Sequence, residues 1–281
     1  MINDYSNDNS LRIIKQFKKE DPRIIIINNH KNMGTLYSRC IGALNAKGEY
    51  IFPLDNDDMF FNYDVFDFIY KTGKKGNYDI VAFKSILINN YNFDDMKELE
   101  DNPFSIQEDN LTLHQPELGV YPISKNGIYK KNDYNIWGKS IKSEIYKEGV
   151  NVLGKNKYSQ FISWGEDSSI LFIICNIAKS FNFVNKYGIF HLISNNTASN
   201  TQPKKNKFFG SIFFLEIIFN FSKKYNKNFA VYHALSIKEK YDIEKYKNES
   251  LYLKNVLSKI INSKYIKQKF KRKIKKVYNF I

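Results

Sequence analysis

Residues 48–60 read GEYIFPLDNDDMF, an apolar run that stops abruptly at Asp55, Asp57 and Asp58, spaced D-x-D-D around Asn56. Three carboxylates within four residues repel one another, so a function has to justify their company. The run YIFPL suits a strand that delivers them at its C-terminal end. Hard divalent cations such as Mg²⁺ or Mn²⁺ take oxygen ligands, commonly one or two carboxylates completed by water and phosphate. Taken alone, D-x-D-D serves acidic loops and helix caps as readily as metal sites, and Asp58 is able to cap the turn that follows it.

Outward from that stretch the pattern alternates. SLRIIKQFKKEDPR (10–23) places Leu11, Ile14 and Phe17 at helical spacing and closes at Pro22. IIII (24–27) reads as a fully buried strand of the kind parallel sheets use. A helix follows, with Thr35 able to cap it and Gly48 able to end it. Beyond the carboxylates, residues 63–73 predict a helix and residues 78–88 a strand. Such α/β sheets bind ligands beyond the carboxyl ends of their strands, where the acidic cluster sits. Residues 89–133 are irregular and predict a substrate-facing insertion. Residues 164–181 predict a helix whose first turn carries Glu166 and Asp167, and the chain beyond residue 202 reads as helical.

The bulk numbers set bounds. A chain of 281 residues has room for one large domain with an extension, and 43% hydrophobic content excludes a disordered or collagen-like chain. Residues 251–281 contain ten Lys or Arg and no Asp or Glu, so this tail supplies most of the formal net charge of +14. Cys40 and Cys175 lie in apolar surroundings without metal or redox spacing and predict reduced core residues. The opening MINDYSNDNS is polar and carries no signal-peptide pattern, which points to a cytoplasmic protein. FFGSIFFLEIIFNF (208–221) is broken by Glu216 and short for a membrane span, so it predicts a buried or interfacial helix.

Four ordered motifs combine to a stronger signal than any one of them. Asp4, Ser6 and Asp8 form an acidic turn; Asn32, Gly34 and Arg39 form an Asn-x-Gly-x-x-x-x-Arg helix start; Gly-Glu-Tyr-Ile leads into Asp55, Asp57 and Asp58; Glu166 and Asp167 form a later pair. Over residues 2–200 this resembles the family 2 glycosyltransferases with the GT-A fold. The resemblance implies an α/β, Rossmann-related, mostly parallel sheet flanked by helices, N-terminally truncated, over residues 1–201, followed by a helical extension over 202–281. It implies an inverting, metal-dependent transfer of a sugar from a nucleotide-sugar donor, UDP-linked, to a hydroxyl acceptor on a glycan, lipid-linked or protein molecule.

The resemblance also implies roles. Asp4 and Ser6 would meet the nucleotide, with Asn3 standing where the family has another Asp. Arg39 would lie near the phosphates, the competing reading being a helix-surface charge. Asp55 would touch ribose or sugar, and Asp57, with Asp55 and His191, would hold Mn²⁺ or Mg²⁺. Asp167 would be the base, supported by Glu166; the competing reading is two acids favourably placed at a helix N-terminus. A lone His is commonly structural, and Trp137 and Lys139 read as packing plus a surface charge. The family's usual first strand, helix and most of a second strand precede the point where this sequence begins. A second class of function therefore stands beside the enzyme: a non-catalytic truncated relative that binds sugar nucleotide or an anionic membrane weakly or not at all.

In the tail, Ile266, Phe270, Ile274 and Val277 recur at three- and four-residue intervals among Lys and Arg. A basic amphipathic helix suits peripheral contact with an anionic membrane, a solvated helix packed on the body, or a nucleic-acid backbone, for which no motif is present.

Overall fold

Helix α1 (Ser10–Glu20) forms where the spacing predicts it, and Asp8 Oδ1 accepts from the Ser10 N–H at its start (2.9 Å). The structure, a computed structural model, describes residues 1–61, 63–88, 111–114, 135–192, 201–221, 228–241, 243 and 245–281. Strand β1 (Ile2–Asn3) pairs in parallel with β2 (Ile27–Asn28), Ile2 opposite Ile27, in a two-stranded sheet of their own. This corrects the fully buried strand expected over 24–27. Only Ile27 of that run is in a strand, and Ile25 is 41% exposed. A ladder with one partner leaves an apolar run without the covering layers that its composition anticipates.

Helix α2 (Thr35–Asn45) buries Leu36, Cys40 and Ala43, each a turn from the next. The chain continues through β3 (Tyr50–Ile51), β4 (Asp58–Phe60), α3 (Tyr63–Gly76) and β5 (Ile80–Ile88). Next come β6 (Leu111–His114), β7 (Lys139–Lys142), α4 (Ser143–Leu153), α5 (Lys155–Tyr158), α6 (Glu166–Ile177) and β8 (Ser180–Leu192). Helices α7 (Lys204–Phe221), α8 (Asn228–Lys240), α9 (Lys247–Asn262) and α10 (Gln268–Phe280) complete it. The rest of the insertion expected over 89–133 lies outside the described residues.

The larger sheet has six strands in the order β3-β7-β5-β8-β4, with β6 also on β8. Among the described residues β5 and β8 pair in parallel, while β3–β7, β7–β5, β8–β4 and β6–β8 are antiparallel. The α/β class stands, but the expected mostly parallel sheet is a mixed one. The helix expected over 164–181 ends at Ile177, where the Ala178 N–H closes on Ile174 O (2.8 Å) and the chain turns into β8. Residues 170–175 are apolar all round and buried, so periodicity alone could not mark that end.

The largest apolar cluster among the described residues joins the sheet to the helical region, running from Leu36 and Ile80 through Ile174 and Phe213 to Val277, with two smaller clusters beside it. Cys40 and Cys175 are free and buried in it. Helix α7 is buried along most of its length, and its Glu216 is held by Lys157, by Tyr252 Oη (2.5 Å) and by Lys259 (3.4 Å). The tail stripe is spent on the same core. Ile266, Ile274 and Val277 are buried, with α10 against α8 and α9. Among the described residues no helix is long and apolar enough to cross a membrane.

Candidate functional site

The D-x-D-D stretch is a break between two strands. After β3 leaves its partner β7, the Asp58 N–H donates to Asp55 O (3.1 Å), and the chain re-enters the sheet as β4. The β4–β8 register sets Asp58 directly opposite His191. His191 Nδ1 and Asp58 Oδ1 lie 2.8 Å apart, and the Leu192 N–H donates to the same oxygen (3.3 Å). The second oxygen, Asp58 Oδ2, is buried with no hydrogen-bond partner. Trp137 stacks on the His191 ring at 4.3 Å. Lys139, expected as a surface charge, is instead 1% exposed, its ammonium donating to the carbonyls of Asn135 and Trp137.

Asp4 shapes the entrance to α2. Its Oδ1 accepts from the Met33 N–H and Asn29 Nδ2 (2.8 Å each), and its Oδ2 from the Gly34 N–H (2.8 Å). Gly34 sits at φ +87°, a conformation glycine adopts without cost. Both Asp4 oxygens are thus engaged within the protein. Ser6 is exposed, its N–H donating to Asn3 Oδ1 (3.3 Å).

One turn into α2, Arg39 is far from a surface charge. Its Nη2 meets Asp55 Oδ1 at 2.5 Å, and its Nη1 meets Glu166 Oε1 at 3.1 Å and Asp167 Oδ1 in direct contact. One planar cation therefore joins the D-x-D-D turn to the start of α6. Gly165, at φ +72°, turns the chain so that Glu166 and Asp167 open that helix toward Arg39. The Ile136 N–H donates to Asp167 Oδ2 (3.4 Å), tying in the approach to β7. Burial works against the Arg39 charge, but Asp167, Asp55 and Glu166 outweigh it and hold the guanidinium protonated. Burial pushes the Asp167 carboxyl up to about 7, with Arg39 opposing and Glu166 and Asp55 adding to the rise.

The neighbouring group behaves as one electrostatic unit. Burial raises Asp57, and the charges of Asp58 and Asp55 raise it further. The hydrogen bond to Asp58 raises His191, assisted by the charges of Asp58, Asp57 and Asp55. Among the described residues no three His, Cys, Asp or Glu side chains form a ready-made cation cage. The partnerless Asp58 oxygen and the crowded carboxylates nonetheless fit a hard divalent cation that draws most of its ligands from water and phosphate. The structure thus brings Arg39, Asp55, Glu166 and Asp167 together, sets Asp57 and His191 beside them, and turns Asp4 inward. Sequence reading missed Asp58 as the partner of His191, whose only signal was that the residues before His191 are apolar enough for a strand; it read Trp137 as packing, and the stack on His191 is that packing.

Residues 1–135 match the model of glycosyl transferase family 2. An uncharacterized glycosyltransferase of Methanocaldococcus jannaschii is 29% identical over 150 residues, covering 52% of this chain and 50% of its own. The chain thus spans about half the length of that relative. S. aureus TarS 1–349 in complex with UDP-GlcNAc superposes with a TM-score of 0.62 at 13% identity, covering 96% of this chain and 72% of TarS. The same protein in complex with UDP gives 0.59 at 14% identity, covering 96% and 71%. At such identity the likeness speaks for the fold, a GT-A sheet flanked by helices.

Proposed function

We propose that this chain, whose residues 1–135 match the glycosyl transferase family 2 model, transfers a sugar from a nucleotide-sugar donor, UDP-linked, to a hydroxyl acceptor with inversion at the anomeric carbon. The observation that carries this reading is the contact of Arg39 with Asp55, Glu166 and Asp167, which gathers two acidic motifs from distant parts of the sequence into one site. The nucleotide bound to the structurally similar TarS supports the choice of donor.

In this reading Asp167 takes the proton of the acceptor hydroxyl as its oxygen attacks the anomeric carbon and the bond to the diphosphate breaks. A carboxylate held near neutrality is suited to that task at ordinary pH. Arg39 aims the base and fixes Asp55 beside it. Asp55, Asp57 and His191, with Asp58 Oδ2, would hold Mn²⁺ or Mg²⁺. That ion would supply charge neutralisation for the departing nucleoside diphosphate. Asp4 acts on the nucleotide side through the loop over residues 29–34 that it orders, and the exposed Ser6 would meet the nucleotide directly.

The test is UDP release from a panel of UDP-sugars with Mn²⁺ present and absent, scored alongside UDP binding. Release or transfer with one donor, and an acceptor product of inverted configuration by NMR, is the expected result. A chain that neither binds UDP nor releases it from any donor is the non-catalytic relative.

A further inference from the structure

We propose that the outward side of α10 is a docking surface for an anionic lipid bilayer, held by charge and not by insertion. The apolar side of this helix is not available to lipid, because Ile274 and Val277 are 0% and 1% exposed against the helical core. What remains outside is cationic. Lys267, Lys269, Arg272, Lys273, Lys275 and Lys276 are all exposed, and no Asp or Glu occurs between residues 251 and 281. At the flanks of this helix Lys238 of α8 sits over the Phe280 ring (4.4 Å), and Lys254 of α9 over the Tyr278 ring (5.1 Å).

Two features favour lipid over a nucleic acid. Nine of the ten cations after residue 250 are Lys, compact point charges suited to a diffuse field of headgroups, whereas paired phosphate recognition favours the Arg fork. Exposed aromatic rings also flank the basic side, with Tyr265 40% exposed just before α10 and Phe280 48% exposed at its end. An amphipathic ring such as that of Tyr265 rests at the level of lipid headgroups. A surface of this type would bring the enzyme to acceptors carried on lipid.

The full-length chain is floated with phosphatidylcholine vesicles and with vesicles in which part of the lipid is phosphatidylglycerol, at low and high salt. It is expected to bind the anionic vesicles only and to leave them as salt rises. A triple variant, Lys269→Gln with Arg272→Gln and Lys276→Gln, removes exposed charges without touching the core. It should keep the parent circular dichroism and melting temperature while losing about 100-fold in partitioning. Absence of binding to anionic vesicles at low salt overturns the proposal, as do equal binding to neutral vesicles and undiminished binding by the folded triple variant. Binding of a single-stranded RNA oligonucleotide in place of vesicles overturns it too and assigns the surface to nucleic acid.

Discussion

Arg39 and Asp167, 128 residues apart in the chain, are in direct ion-pair contact, and the same guanidinium reaches Asp55. The pair therefore makes the position of the candidate base depend on the helix that enters from the loop over residues 29–34. Arg39 is 12% exposed at its side chain, against 29%, 14% and 19% for Asp55, Glu166 and Asp167. Charges this sheltered are sensitive to the loss of a partner.

Replacing Arg39 with Ala should cost about 3 kcal/mol, because three sheltered carboxylates are left facing one another. Arg39→Lys should recover only part of the loss, since a single ammonium cannot bridge to three groups as a planar fork does. The penalty should shrink in acid, where protonation relieves the repulsion, and grow above neutrality. Urea unfolding on both sides of neutral pH measures this. A penalty independent of pH would mean that Arg39 acts by packing alone.

Asp167→Asn should lower turnover by 10²- to 10⁴-fold, roughly the worth of a positioned base, with UDP binding little changed. In the parent, kcat/KM should climb with pH and level off above about 7 as Asp167 ionises. Stability should move the other way. Because burial lifts the folded pKa above its ordinary 3.8, the contribution of Asp167 is full below 3.8 and is lost as pH rises through about 7. The Asn variant should lack that slope. A variant that keeps both its turnover and the parent pH dependence would remove Asp167 from the reaction.

Much of this was legible because it is local. The D-x-D-D turn, the start of α2 and the pair at Glu166 and Asp167 are each written within a few residues. What joins them is not. The facing of Asp58 and His191, 133 residues apart, depends on β-register, which sequence spacing does not set. Lys139 looked like a surface charge because a short polar stretch does not reveal that its strand lies inside a sheet. The apolar stripe of the tail was readable as a helix face, but periodicity is the same whether that face meets lipid or the protein's own core.

UDP binding should tighten when Mn²⁺ is added to the full chain, and Asp57→Ala should abolish the gain. Burial raises Asp57 and the charges of Asp58 and Asp55 add to the rise; a bound cation relieves that repulsion, so metal and nucleotide should assist each other. Calorimetry of UDP with and without Mn²⁺ gives the coupling directly. Equal affinities in both conditions would falsify the metal bridge.

The last prediction links the helical region to the base. Gly210 of α7 packs against the turn just before Glu166. A Cβ there would lie 2.0 Å from Trp164 O and 2.9 Å from Trp164 C, and both are backbone atoms that no side-chain rotation can move aside. Gly165 faces it across this contact at φ +72°, so the turn has little room to adjust without losing the conformation that aims Glu166 and Asp167. Gly210→Ala should therefore cost about 1–3 kcal/mol by overpacking. It should also lower kcat more than Gly154→Ala, whose residue has φ +80° but open space where a Cβ would go. Gly154→Ala brings backbone strain without a clash and Gly210→Ala a clash without strain, so comparing melting temperature and kcat for the two variants separates a general loss of stability, which both cause, from displacement of the base, which only Gly210→Ala should cause. If the two lose kcat in proportion to their loss of stability alone, α7 supports the fold without positioning Asp167.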